Sequence, residues 1–236
     1  MSILSEHAVM LWTHDLQGLE LSPPQWLELL DDEERMRALR FRREHDRIAY
    51  VAAHALLRLV IGKRVGASPS SLIISRGGFG KPFIDMEEFR GMDVSLSHTP
   101  GMVAVAVSIS GRVGVDVEAV EHERVLSSDL AAYGLSAEEI RMLELMESSE
   151  RCSAFIELWT AREAVAKADG RGLSLPFSSI RIDLAANRAV TMNDGVKPSA
   201  HWHLWRERPS LQHRLTLAWS GENGKFMRKK DELPVY

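Results

Sequence analysis

The chain has few features that would assign it to an extracellular, membrane or nucleic-acid-binding class. Its single cysteine, Cys152, excludes an intrachain disulfide, and its formal net charge of −4 gives no general attraction to nucleic acid or anionic lipid. The longest strongly apolar stretch, Met102–Ile109, is too short to span a bilayer. Residues 1–16 lack the basic start and apolar run of a signal peptide. We therefore expect a soluble cytoplasmic protein that binds neither nucleic acid nor membrane.

The organisation of the chain suggests two halves. Its 236 residues are 45% hydrophobic, enough for one large domain or two fused domains that each bury a core. A helix followed by strands occurs twice along the chain, with a seam near Ser110-Gly111. The pattern predicts a mixed α+β protein with one half at 1–110, a second at 111–220 and a loose polar tail at 221–236.

Four helical segments are predicted. An acid-rich first turn at 31–34 suits the positive end of a helix dipole, and a capping box at 136–139 starts another helix. Apolar residues spaced by three and four indicate a core-facing helix that ends near Gly62, and a fourth helix covers 151–168. The core-facing stripe is Ile48, Val51, Ala52, Ala55 and Leu59. Short strands are predicted at 71–75, 94–97, 102–109 and 113–118, and 172–220 is strand-rich.

Paired carboxylates are the first candidate for chemistry. In the stretch 113–118, valines take one face of the predicted strand, and Gly114, Asp116 and Glu118 take the other. Two carboxylates two residues apart lie about 7 Å apart along a strand, and their repulsion is relieved by a cation such as Mg²⁺. Taken alone, an amphipathic strand with a solvated acidic face explains the pattern better.

The helix over 151–168 carries a second candidate. Its apolar stripe continues from Trp159 in steps of four to Glu163 and then Lys167, so the core-facing side turns from apolar to charged. This change indicates a helix that leaves the core and enters a cleft. A surface Glu–Lys pair, worth about 0.3–0.5 kcal/mol, explains the same spacing equally well.

Cationic and hydroxyl groups elsewhere suit a phosphate-rich ligand. Ser97-His98 lies in a tight passage between strands, Lys81 ends a glycine-rich turn at 77–82, and arginines recur over 35–47. The glycine-rich turn lacks the spacing of a P-loop. A serine hydrolase triad is not supported either, because no acidic partner for Ser97-His98 is evident nearby in the sequence. Taken individually, each motif has a simpler interpretation: a histidine that hydrogen-bonds only to the backbone, an ordinary hairpin turn, and a basic helix face exposed to solvent. Together the residues suggest a carboxylate metal site beside a phosphate-binding surface.

The order of these motifs resembles the Sfp-type 4′-phosphopantetheinyl transferase family. The specific part is G-x-D-x-E followed by W-x-x-[KR]-E-A-x-x-K. The matching stretches are Gly80–Pro82, Val94–Thr99, Val113–Glu118, Trp159–Lys167 and Gly170–Pro176, with a softer match at Arg40-Phe41 and Asp46-Arg47. Arg162 stands where the family usually has lysine, and Val94-Ser95 replaces a common Phe-Asn. All three motif carboxylates and Lys167 are present.

The resemblance implies a pseudo-dimer of two similar α+β halves with the active site at their interface, in a monomer with pseudo-twofold symmetry. It implies Mg²⁺-dependent transfer of 4′-phosphopantetheine from coenzyme A to a serine of an apo acyl or peptidyl carrier protein, releasing adenosine 3′,5′-bisphosphate. The implied metal ligands are Asp116, Glu118 and Glu163. Glu163 is also the implied base and Lys167 the phosphate contact, while the adenosine end is held by Lys81, Ser97, His98 and Arg47.

Three other functions remain open. A non-catalytic module could bind coenzyme A or a carrier protein, although binding alone does not need three acids. The arginines over 35–47 suit a nucleic-acid binder, which the net charge disfavours, and the carboxylates suit a metal-dependent phosphohydrolase. The segment 120–150 is a candidate docking surface for a carrier protein, and a cover for the second sheet is an equally good interpretation. Its apolar residues are Val125, Leu126, Leu130, Leu143 and Met146.

Overall fold

The computed structural model describes residues 9–89, 91–120, 134–193, 197–221 and 226–230. Its helices are α1 (Pro24–Leu29), α2 (Asp32–Ala38), α3 (Glu44–Val65), α4 (Ala137–Glu144) and α5 (Ser148–Asp169). Its strands are β1 (Val9–Asp15), β2 (Ile74–Arg76), β3 (Pro82–Ile84), β4 (Asp93–Thr99), β5 (Met102–Ser108), β6 (Val113–Ala119), β7 (Ile180–Asp183), β8 (Arg188–Asn193), β9 (Lys197–Ser210), β10 (His213–Trp219) and β11 (Phe226–Lys230). None of the described helices is long and apolar enough to cross a membrane.

Each main sheet is packed against one long helix. A four-stranded sheet with the order β11-β1-β5-β4 shares a core with α3, and a five-stranded sheet with the order β6-β10-β9-β8-β7 shares one with α5. A third core of strand residues lies between the sheets and includes Leu11, Ala104, Val115 and Leu217. Since each buried Val or Leu side chain contributes about 1.5–3 kcal/mol, this shared core holds the sheets together. The predicted α+β class is confirmed.

Local sequence signals account for the helix starts. Ser136 and Glu139 form a reciprocal capping box at α4, as predicted. The predicted acid-rich segment starts α2, where Asp31 and Glu34 form a second capping box. The predicted end of α3 near Gly62 was wrong, because the helix continues to Val65. A Cβ added at Gly62 would lie 2.8 Å from the Ala67 carbonyl oxygen, so this glycine permits close packing rather than ending the helix.

Two strand predictions also need correction. The strand predicted over 71–75 begins later, at Ile74, because a 3-10 turn occupies Pro69–Ser71. The tail predicted as loose contains β11, which pairs in parallel with β1. Its polar residues have partners there: the guanidinium of Arg228 lies 2.7 Å from Glu207 and donates to Thr13. Residues 226–230 therefore return to the N-terminal sheet.

The two main sheets also meet through a polar ladder between β4 and β6. Backbone N–H groups at positions 113, 115, 117 and 119 donate to side chains at positions 93, 95, 97 and 99, at 2.7, 3.1, 3.2 and 3.3 Å. The four accepting side chains are Asp93, Ser95, Ser97 and Thr99. Alternate β4 residues thus satisfy backbone donors of β6 that would otherwise be left without partners inside the protein. We call this the β4–β6 ladder.

Candidate active site

The strand carboxylates lie beneath α5 because a glycine permits it. A Cβ added at Gly114 would lie 2.0 Å from the Ala164 carbonyl oxygen and 2.4 Å from the Ala168 nitrogen, both backbone atoms of α5. No other residue allows strand and helix to approach so closely. Asp116, two residues along β6 on the same face, is therefore carried under the helix and is buried.

Two polar groups, one from β4 and one from α5, converge at Asp116 of β6. Its Oδ1 accepts from Ser97 Oγ at 2.9 Å and from Lys167 Nζ at 2.7 Å. Lys167 Nζ also donates to Ser97 Oγ at 3.0 Å. The other carboxylate oxygen, Oδ2, is buried and has no hydrogen-bond partner within the described residues. The geometry thus joins Ser97 of the N-terminal sheet to the two predicted site residues Asp116 and Lys167.

Glu163 lies one turn before Lys167 on α5. Burial raises the pKa of its carboxyl, the charge of Asp116 raises it further and Lys167 opposes this, which places the pKa at about 7. The two carboxylates are therefore close enough to repel each other. A surface Glu–Lys pair does not account for this environment, so the structure favours the cleft interpretation of the helix.

The third predicted metal ligand, Glu118, accepts a long hydrogen bond of 3.4 Å from Thr99 Oγ1. Across the described part of the chain, no three His, Cys, Asp or Glu side chains are gathered closely enough to hold a metal ion. The donor chemistry nevertheless fits a hard cation. The unpartnered Asp116 Oδ2 and the repulsion that raises the pKa of Glu163 are both features that a nearby cation would relieve.

His98 follows Ser97 on β4, and its side chain lies on the opposite side of the strand. Burial, together with the charges of Lys167 and His54, lowers its pKa to about 4. Its ring meets Tyr50 of α3 edge to face, with centroids 6.2 Å apart. The imidazole is therefore neutral at pH 7, so it can offer a phosphate one hydrogen bond but no charge.

Two predicted phosphate ligands already have partners. Lys81 Nζ pairs with Asp93 and donates to the carbonyl oxygens of Val113 at 3.0 Å and Ala168 at 3.5 Å. These contacts give Lys81 a role in joining β4, β6 and α5, and its contact with coenzyme A stays a prediction. Arg47 pairs with Glu44 at 2.7 Å on the surface of α3, and its predicted role is likewise untested.

A cavity of about 410 Å³ beside α3 is lined by cationic residues and also by the acids Asp31, Glu33 and Glu34. Its lining includes Arg37, Tyr50, His54 and Arg76, and Arg76 approaches His54 Nε2 at 3.5 Å. Burial raises the pKa of Tyr50, so its hydroxyl stays protonated. Arg76 precedes the glycine-rich turn, and only its closeness in space to α3 identifies it as a candidate.

The departure at Arg162 has a structural explanation. One guanidinium nitrogen lies 2.8 and 2.7 Å from the two carboxylate oxygens of Glu139, which caps α4. Arg162 thereby fixes the start of α4 against α5, next to Glu163. Of the suggested docking residues, Leu143 is buried and Met146 packs against the same core. Val125, Leu126 and Leu130 lie outside the described residues.

Comparisons with known proteins identify the family of the chain. Residues 112–219 match the model of the 4′-phosphopantetheinyl transferase superfamily, and residues 22–110 match a model described as 4′-phosphopantetheinyl transferase, N-terminal. The 4′-phosphopantetheinyl transferase HetI of Nostoc sp. is 27% identical over 175 residues, covering 74% of this chain and 73% of the relative. The 4′-phosphopantetheinyl transferase Sfp of Bacillus subtilis is 26% identical over 168 residues, covering 71% and 72%. The chain therefore belongs to the 4′-phosphopantetheinyl transferase superfamily and is a transferase.

Proposed function

We propose that the enzyme transfers 4′-phosphopantetheine from coenzyme A to a serine hydroxyl of an apo acyl or peptidyl carrier protein and releases adenosine 3′,5′-bisphosphate. The observation that carries the proposal is the convergence of Ser97, Asp116 and Lys167. These residues come from β4, β6 and α5, and hydrogen bonds of 2.7–3.0 Å join them. The active site would therefore lie between a half at 1–110 and a half at 111–220, with β11 completing the first.

A divalent cation is part of the proposal, with Mg²⁺ expected for oxygen ligands. Asp116 and Glu163 would hold it together with Glu118, since a cation relieves the repulsion between the first two. When bound, the cation would polarise the pyrophosphate and neutralise its charge. Binding would require these side chains to draw together, because the described residues contain no ready-made group of three metal ligands.

Glu163 is proposed as the base for the carrier serine, directly or through a water molecule. Without a metal, burial raises the pKa of the Glu163 carboxyl to about 7, and a bound cation would lower this pKa, so the carboxylate would be ionised and able to accept a proton at neutral pH. Lys167 would contact the phosphates and offset the negative charge that develops on the leaving group. Its ammonium is already oriented by Asp116 and Ser97, so little rearrangement is needed.

The adenosine end of coenzyme A would bind on the α3 side of β4. His98 would donate one neutral hydrogen bond, and Arg76 at the cavity would supply positive charge. Lys81, Arg47 and Arg37 would contribute only if a phosphate displaced their acidic partners, which are Asp93, Glu44 and Glu33.

Intact-mass spectrometry of a carrier protein tests the proposal. The enzyme is incubated with Mg²⁺, coenzyme A and apo carriers from several pathways, with a chelator as the control. We expect a gain of about 340 Da, the mass of the phosphopantetheine arm, that the chelator abolishes. Coenzyme A binding without any gain would favour the non-catalytic binding module, and phosphate release without a modified carrier would favour a phosphohydrolase.

A further inference from the structure

We infer that the hydroxyls of Ser97 and Thr99 are positioning groups that hold the carboxylates Asp116 and Glu118 in place for a divalent cation. The inference rests on the proposed function only for the role of those carboxylates. It assigns the N-terminal sheet a task in the metal site, although the candidate metal ligands all come from β6 and α5.

The β4–β6 ladder places the two hydroxyls. Each accepts a hydrogen bond from a backbone N–H group of β6. Ser97 Oγ accepts from the Val117 N–H at 3.2 Å, and Thr99 Oγ1 accepts from the Ala119 N–H at 3.3 Å. Each then donates its own proton to a carboxylate, at 2.9 Å to Asp116 and 3.4 Å to Glu118. The backbone contact thus fixes the position from which the hydroxyl orients the carboxylate.

The hydrogen-bonding capacity of Ser97 is fully used by these contacts. A serine hydroxyl has one donor and two acceptor lone pairs. Its proton goes to Asp116, and its lone pairs accept from the Val117 N–H and from Lys167 Nζ. Ser97 is also buried. A phosphate could bind this hydroxyl only by displacing one of the three, so positioning explains its contacts better than direct contact with coenzyme A.

The ladder contains its own control at Ser95. Its hydroxyl accepts from the Val115 N–H at 3.1 Å, just as the hydroxyls of Ser97 and Thr99 accept from the N–H groups of Val117 and Ala119. The β6 residue on the carboxylate-bearing face at this level is Gly114, which has no side chain to orient. Loss of the Ser95 hydroxyl therefore removes a rung between the sheets without removing a contact to a carboxylate.

Binding of Mn²⁺ to the full chain in the presence of coenzyme A tests the inference. Mn²⁺ accepts the oxygen ligands that Mg²⁺ uses, and the free ion is counted by electron paramagnetic resonance. Removing an outer partner of a metal ligand weakens metal binding by about 10–100-fold. We expect about a 10-fold higher dissociation constant for Ser97→Ala, about 3-fold for Thr99→Val, whose bond is longer, and less than twofold for Ser95→Ala.

Controls separate positioning from folding. Thermal unfolding should show a smaller loss for Ser95→Ala, which removes one rung, than for Ser97→Ala, which also removes a donor to the buried Asp116. Ser97→Thr, which keeps a hydroxyl, should restore most of the Mn²⁺ affinity. Ser97→Cys replaces the alanine variant if that variant does not fold. Equal weakening by Ser95→Ala and Ser97→Ala, or no Mn²⁺ binding by the unmodified chain, would overturn the inference. Carrier modification by the unmodified chain is scored separately, so failure of the proposed function and failure of the positioning role give different results.

Discussion

Lys167 and Asp116 form an ion pair between helix α5 and strand β6, with Nζ 2.7 Å from Oδ1. Asp116 is almost fully buried, whereas the lysine side chain retains 27% of its exposure. The Lys167 ammonium group therefore contacts the buried carboxylate on one side and faces solvent, from which a substrate would enter, on the other. This ion pair therefore links the stability of the packing between α5 and β6 to the proposed role of Lys167 in phosphate transfer.

Replacing Lys167 should lower both the free energy of unfolding and the rate of transfer. Lys167→Met keeps the length of the side chain but leaves Asp116 without a compensating charge, so we expect a loss of about 2 kcal/mol in the free energy of unfolding. We also expect transfer to slow at least about 100-fold, because charge on the phosphates is no longer offset. Urea denaturation and carrier modification measure the two effects. Added Mg²⁺ and coenzyme A should reduce the loss of stability, and an unchanged loss would argue against a cation beside Asp116.

The glycine of the G-x-D-x-E motif should tolerate no side chain. In Gly114→Ala the new methyl group would meet backbone atoms of α5 at 2.0 and 2.4 Å, which cannot rotate away. We expect the free energy of unfolding to fall by about 3 kcal/mol or more. Gly78→Ala is the matched control, since a Cβ there would meet nothing within 4 Å. Equal melting temperatures for the two variants would contradict this packing.

A buried charge cluster should make stability depend on acid pH. Glu34 accepts from His54 at 2.7 Å and from Arg58 at 2.6 Å. Burial raises the pKa of Glu34, but these two partners outweigh it and lower the pKa to about 2. Because the folded pKa lies below the unfolded value, the contribution is complete above about pH 4.5 and is lost as the pH falls through about 2.

The corresponding variant is Glu34→Gln. We expect it to lose about 3 kcal/mol of unfolding free energy at pH 7, the amount that corresponds to the pKa shift. Urea titrations at pH 7, 5, 4 and 3 should show a constant difference from the unmodified chain down to about pH 5. The difference should then narrow toward pH 3. A difference that stays constant to pH 3 would mean that the carboxylate charge is not the stabilising feature.

Local patterns predicted those parts of the molecule that depend on neighbours in sequence. The capping box at Ser136 and the acid-rich start of α2 are each defined within four residues, and the alternation around Asp116 follows from the pleat of one strand. The step of four from Glu163 to Lys167 likewise belongs to one helix. Bringing these motifs together as one site depended on the family resemblance.

Features that depend on distant partners were not predictable in the same way. Strand β11 forms because β1 has a free edge more than 200 residues earlier in the chain, and the polar composition of the tail does not show that edge. The β4–β6 ladder also needs the register between two sheets, so Ser97 resembled a phosphate ligand in the sequence and is a partner of Asp116 in the structure. The contacts of Lys81 with Asp93 and Val113 depend on the same register, and its contact with coenzyme A stays a prediction.

The stoichiometry of products tests the central claim most directly. Carrier modification and adenosine 3′,5′-bisphosphate release are measured together for the unmodified enzyme, for Glu163→Gln and for Glu157→Gln. Glu157 is a matched control because it lies on the same helix but pairs with Arg208 at 2.8 Å. We expect one bisphosphate to be released for each modified carrier. Transfer activity should fall about 100-fold or more in Glu163→Gln and stay nearly complete in Glu157→Gln. Full activity of Glu163→Gln, or bisphosphate release without carrier modification, would contradict it.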